Sequence, residues 1–206
     1  MARLNPKKWF LPEMPDVLGL LRRQLALASE GADVFAEWAG GAPVNTATLR
    51  EIEDRAEQAK RDLLDALRVA FITPLEPEDL FSISRGTGRM LNEMGDLVGE
   101  AEVLKCTPDE GISDMARLLA ESVRQIEEAV AALGSSKKVA TEAADRSIAT
   151  VGLTQAHYYR GMAVTLNIED RGGRIVQREL YRRCSRIGDT AVDVAERIVY
   201  SIVKQS

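Results

Sequence analysis

Apolar residues recur at alternating spacings of three and four along almost the whole chain, the signature of helices with one buried stripe. Leu18, Leu21, Leu25, Ala28, Ala32 and Phe35 trace the first stripe, which stops at Gly40-Gly41. Thr48 and Glu51 then have the capping-box spacing, in which a hydroxyl and a carboxylate satisfy the free amides of a helix start. From there Leu49, Ile52, Ala56, Ala59, Leu63, Ala66 and Ala70 predict a second helix to about Phe71.

Pro74 cannot continue that helix, and Pro77-Glu78-Asp79 has the chemistry of a new first turn: a preset φ, no amide to satisfy, and acids at the positive end of the dipole. A sharp reversal is predicted over Ile72 to Glu76. The third helix carries Leu80, Ile83, Met90, Met94, Leu97, Ala101 and Leu104. Gly86, Gly88, Gly95 and Gly99 weaken it by up to ~1 kcal/mol each relative to Ala, so packing must hold it. Thr107-Pro108-Asp109-Glu110 has the spacing of a second capping box, with Pro at the first helical position. Ile112, Met115, Leu119, Ser122, Ile126, Ala129 and Leu133 give the fourth helix.

Ala144, Ile148, Val151, Tyr158 and Met162 place a fifth helix over about Lys137 to Val164. Asn167, three residues before Asp170, is the expected cap of a sixth, with Val176, Leu180, Ile187, Ala191, Val194 and Ile198 on its stripe, ending near Lys204. Short connections make successive helices antiparallel. The expected fold is therefore all-α, a six-helix bundle built as two three-helix halves of about 13–106 and 107–206 within one domain.

With 206 residues and 45% hydrophobic content the chain can bury a core of its own. Its 27 basic and 32 acidic residues leave a net charge of -5, which argues against a general nucleic-acid binder. Two cysteines, Cys106 and Cys184, fit a reducing cytosol, and neither a signal peptide nor an apolar span is expected. A cytoplasmic location follows. Charge is unevenly placed: residues 1–136 hold 15 basic and 24 acidic side chains, residues 137–206 hold 12 and 8, so the last third is the basic part.

No enzyme chemistry stands out. His157 has no metal-ligand or nucleophile motif around it, and with Tyr158 and Tyr159 it reads as packing. Carboxylates one turn apart, Glu53 with Glu57, Asp96 with Glu100 and Asp189 with Asp193, can converge on a metal ion or face water with salt bridges such as Glu57 to Arg61. Arg171, Arg174, Arg178, Arg182 and Arg186 form a cationic ridge on the sixth helix, beside Arg183. The ridge suits phosphate, anionic lipid heads or an acidic partner loop, or else the acidic first part of the same chain. Lys7-Lys8-Trp9-Phe10 is either an interfacial contact or an aromatic pair packed under the first helix.

The segment Phe71-Ile72-Thr73-Pro74-Leu75-Glu76-Pro77-Glu78-Asp79-Leu80-Phe81 resembles the FITPxxxED segment of the PhoU-like family, in the branch of short proteins that accompany Pit-type inorganic phosphate transporters. Ile52 to Glu57 is similar to that family's E-x-x-x-D element, and Glu179-Leu180-Tyr181 to Asp189 and Ala195 to its closing helix. The resemblance implies a pair of three-helix bundles and, in some members, metal clusters held by four acidic elements. Here the first element stands as Glu53 and Glu57, the second as Gly88 and Asn92, the third as Gly152 and Ala156, and the last as Ser185 and Asp189. Most ligand positions thus lack an anionic oxygen, so no cofactor is expected and any metal is reduced to Glu53, Glu57 and Asp189.

The resulting expectation is a non-enzymatic regulator that docks on the cytosolic face of a Pit-type transporter. Arg174, Arg178, Arg182 and Arg186 are its expected contact with the partner or with an anion. Two alternatives stay open: a metal-binding protein with the reduced carboxylate site, and a structural oligomer such as a homodimer whose seam is the alanine stripe of the second helix and the glycines of the third.

Overall fold

The computed structural model describes residues 15–205, so Lys7-Lys8-Trp9-Phe10 lies outside the described residues. Six α-helices follow one another: α1 (Val17–Ala39), α2 (Thr46–Val69), α3 (Pro77–Leu104), α4 (Glu110–Ala132), α5 (Lys137–Val164) and α6 (Arg171–Val203), with a single 3₁₀ turn at Thr165–Asn167. No strand occurs among the described residues.

Three helix starts differ from expectation by two or three residues. Asn45 caps α2 by accepting from the Thr48 amide, which makes Thr48 a first-turn residue, not the cap. Asp109, not Thr107, caps α4 by accepting from the Ile112 amide at 2.9 Å, so Pro108 precedes the helix. Asp170 itself, not Asn167, caps α6 through the Gly173 amide. In each case two cap-competent side chains lie within three residues, and the one whose backbone is extended beside the first turn wins. Pro77 opens α3 as expected, and α2 ends at Val69, two residues before Phe71.

Helices α1, α2 and α3 pack on one another, as do α4, α5 and α6. The two units meet through α1 on α4 and α3 on α6. Both of these pairs are antiparallel: Asp33 meets Arg124 while Arg22 Nη2 reaches the Ala131 carbonyl at 2.9 Å, and Asp79 meets Arg197 while Glu100 meets Arg183. The two three-helix units thus face each other through two antiparallel helix pairs. One continuous core, including Leu21, Phe35, Ile83, Met94, Leu119, Ile126, Leu180 and Ile198, runs through both units. Leu104, expected on the α3 stripe, is 45% exposed because it is the last residue of the helix.

Close packing depends on two glycines in particular. A Cβ on Gly86 of α3 would stand 2.5 Å from Val194 Cγ2 of α6, and one on Gly161 of α5 would stand 2.0 Å from the Tyr181 ring. The FITP stretch forms the α2–α3 connection. Leu75 is buried in the core, Thr73 Oγ1 donates to the Leu75 carbonyl at 2.6 Å, and Gln205 Nε2 donates to the Pro74 carbonyl at 2.5 Å. Phe71 and Ile72 point outward, 85% and 73% exposed.

Candidate functional site

Glu53, Glu57 and Asp189 do not converge. Glu53 faces α3 across a cleft of about 500 Å³ that it shares with Arg50, Asp96 and Glu100. Asp189 lines a different cleft between α5 and α6, with Gly152, Gln155 and Ser185. The two carboxylate sets are separated because α2 packs against α1 and α3 and has no contact with α6. The structure does not bring the three expected ligands together: the spacing along each helix puts side chains on one face, but the helices that carry them belong to opposite units.

Three of the remaining acids of the expected pairs are occupied by cations, while Asp96 stays in the cleft with Glu53. Glu57 pairs with Lys60 at 3.0 Å and with Arg61 at 3.9 Å, Glu100 with Arg183 at 2.6 Å, and Asp193 with Arg89 at 3.0 Å. Among the described residues no three His, Cys, Asp or Glu side chains gather as metal ligands. Glu53 is left with a carboxyl held above its ordinary range, first by burial and then by the charge of Asp96, with Arg50 acting the other way. Along the same α2–α3 interface Glu102 has the opposite fate: it accepts from the Thr46 hydroxyl and from the Thr46 amide (2.8 Å), and those bonds hold its carboxyl low.

The α6 arginines divide into three kinds. Arg174 Nε and Nη2 both donate to the Ile168 carbonyl, at 3.0 and 2.6 Å, closing the turn that leads into α6. Arg183 crosses to Glu100 and Glu179, and Arg182 stands 4.0 Å from Glu179. Arg178 and Arg186 have no carboxylate partner among the described residues, and Arg186 is exposed. A run of residues four apart drifts around an α-helix by ~40° per step, so Arg174 and Arg186 lie on different sides of α6 while Arg178, Arg182 and Arg186 follow one another along the outer surface.

His157 places Nδ1 3.3 Å from Asp114 Oδ2, and Asp114 also takes Arg117 at 2.6 Å. Beside it Tyr181 hydroxyl donates to Asp109 at 2.7 Å. His157 is half-buried, and its neighbour in the cleft is a carboxylate and not an apolar surface alone.

Sequence reasoning missed the polar seam between α3 and α6. Asp79 with Arg197, Arg89 with Asp193, Glu93 with Thr190, Glu100 with Arg183 and Cys106 with Gln177 pair in antiparallel order down its length. A signal was available: once α3 and α6 are taken as antiparallel neighbours, the residue numbers of these partners have a nearly constant sum, and opposite charges fall opposite one another.

Six helices in two three-helix units, with no strand among the described residues, form an all-α bundle, and solved PhoU-like structures share that fold. A PhoU-like protein from Shewanella oneidensis MR-1 is similar with a TM-score of 0.78 and 11% identity, over 91% of this chain and 99% of that one. A second solved structure, assigned as a PhoU-like phosphate regulatory protein from the same organism, is similar with a TM-score of 0.72 and 13% identity, over 92% of this chain and 100% of that one. No protein-family model matches the sequence, and no curated protein matches it. No helix among the described residues is long and apolar enough to cross a membrane.

Proposed function

We propose that this protein is a non-enzymatic regulator of inorganic phosphate transport, located in the cytoplasm, that acts by docking on the inner face of a Pit-type phosphate transporter. The observation that carries the reading is the fold it shares, over nine tenths of its length, with a PhoU-like phosphate regulatory protein. The FITP connection adds support, because a family-like segment keeps Phe71 and Ile72 exposed while anchoring Leu75 in the core. The contact surface is the outer side of α6, where Arg178, Arg182 and Arg186 offer guanidinium forks to acidic loops. Arg174 is left out of that surface, since two of its donors hold it against the Ile168 carbonyl.

The experiment is co-purification with a Pit-type transporter encoded in the same genome, reconstituted in liposomes, with phosphate uptake measured in the presence and absence of this protein. A saturable change in uptake that disappears in R178A/R182A/R186A supports the reading. Unchanged uptake with no co-purification of the wild-type chain overturns it.

A further inference from the structure

A cleft of about 390 Å³ opens between α3 and α6, separate from the outer arginine ridge and nearer the α2–α3 connection. Three guanidinium groups converge on it: Arg85 and Arg89, one turn apart on α3, and Arg197 from α6. The close approach of Gly86 to Val194 lets the two helices bring these side chains together.

The charges do not balance inside the cleft. Arg89 has Asp193 at 3.0 Å. Arg197 has Asp79 at 3.2 Å, a carboxylate that also meets Lys204 at 3.3 Å, while Lys204 holds Glu76 as well. Arg85 has no carboxylate partner among the described residues; its guanidinium lies 5.8 Å from the centre of the Phe81 ring, a contact that steadies it at the rim. Arg85 is therefore the guanidinium of the three left without a carboxylate among the described residues, and the cleft carries an excess of positive charge that an entering anion would offset.

The donor geometry selects the kind of anion. Ser82 Oγ accepts from Arg197 Nη2 at 3.2 Å, so its own proton is free to be donated into the cleft. Donors therefore arrive from two helices and out of one plane, which suits the several oxygens of a tetrahedral anion better than a flat carboxylate. A phosphate group also carries about one and a half to two negative charges at neutral pH, enough to offset Arg85 and compete with Asp193 for Arg89. The volume exceeds that of a single ion and falls within the range of small-molecule sites, leaving space for waters or for an organic group attached to the phosphate.

We propose that the cleft bounded by Ser82, Arg85, Arg89 and Arg197 is a binding site for a phosphate group, carried either as inorganic phosphate or as a small phosphate monoester. The proposal stands on the cleft itself and is independent of docking to a transporter, so it is tested on the isolated protein.

The test is a calorimetric titration at low, constant ionic strength with inorganic phosphate in one arm and glycerol 3-phosphate in the other. Wild type, R85Q and R178Q/R182Q are compared, with thermal melts confirming that each is folded. Arg85 holds no carboxylate and caps no helix, so R85Q removes ligand donors without breaking the seam. Saturable binding in either arm, weakened about tenfold in R85Q and unchanged in R178Q/R182Q, is the expected result. Equal affinity in both arms identifies free phosphate as sufficient, and tighter binding of the ester identifies an organic phosphate; both support the site. Absence of saturable binding to the wild type overturns the inference, as does weakening in R178Q/R182Q with none in R85Q.

Discussion

Tyr181 of α6 donates its hydroxyl to Oδ1 of Asp109 at 2.7 Å, the same oxygen that caps α4 through the Ile112 amide. One carboxylate thereby fixes the start of α4 and the position of the largest fully buried side chain. The ring fits because Gly111 and Gly161 leave room for it. Y181F is expected to lower stability by about 1 kcal/mol, the worth of one buried hydrogen bond, in denaturant titration. G161A is expected to cost ~2–3 kcal/mol, because its Cβ meets a rigid ring. G95A is the contrast: its Cβ meets the flexible end of Glu53, which can swing aside, so it should be neutral or stabilising.

The same neighbourhood sets an alkaline limit. Burial, followed by the charge of Asp109, pushes the Cys184 thiol from 9.0 up to about 12. Burial and the bond to Asp109 raise the Tyr181 hydroxyl well above its ordinary 10.0. Both groups hold their protons more tightly in the folded chain, so their contribution is complete below pH 9. It is lost as pH rises through the window in which the unfolded chain has already released them. Stability should fall by up to ~1.4 kcal/mol per pH unit for each group in turn. Urea midpoints between pH 8 and 11 check this: C184A should make the fall that begins near pH 9 shallower, the part that remains there belonging to Cys106, whose thiol burial and Asp109 also push up, and the fall from about pH 10 belonging to Tyr181.

Asp79 is 1% exposed and rests on Arg197 and Lys204. R197M leaves a buried carboxylate with one cation fewer and should cost ~2–3 kcal/mol, below the full penalty for an unpaired buried charge because Lys204 remains. D79N/R197M should recover part of that loss. A double-mutant cycle that shows the two changes to be additive would mean that the pair is uncoupled.

How much of this was legible in the sequence can be seen on α6. The stripe of Leu180, Ile187, Ala191, Val194 and Ile198 and the four-residue spacing of the arginines are local patterns, and both are in the chain as read. The partner of each arginine is not local. Arg183 meets Glu100 and Arg174 meets Ile168 because of how α3 and the preceding turn are placed, and no spacing within α6 encodes that. The caps failed for a related reason: Asn45 and Thr48, or Thr107 and Asp109, are equally competent by composition, and only the backbone path chooses between them. The separation of Glu53 from Asp189 was not legible either, because each sits at a plausible position on helices that are not in contact.

Glu53 offers a direct check on the carboxylate cleft. Burial and Asp96 raise its carboxyl above the ordinary 4.5, so its stabilising contribution is complete below that pH and is lost as pH rises through its folded value. E53Q should therefore be at least as stable as wild type at neutral pH and should lose that advantage near pH 4. Elemental analysis of wild type and E53Q/E57Q, both expressed with iron, zinc, manganese and magnesium available, should give the same metal content. Stoichiometric metal in the wild type that is lost from the variant would reverse the reading of this cleft.

The division of the α6 arginines predicts two separable phenotypes. Arg174 closes the turn into α6 with two donors on one carbonyl, so R174A should cost about 1 kcal/mol and speed amide exchange around Ile168. Arg178 and Arg186 hold no carboxylate among the described residues, and R178A and R186A should change stability by less than ~0.5 kcal/mol. If either were as destabilising as R174A, its side chain would be structural and unavailable to a partner. Removing one of several repelling cations at four-residue spacing should, if anything, stabilise the helix, which sets the expected sign opposite to that of R174A.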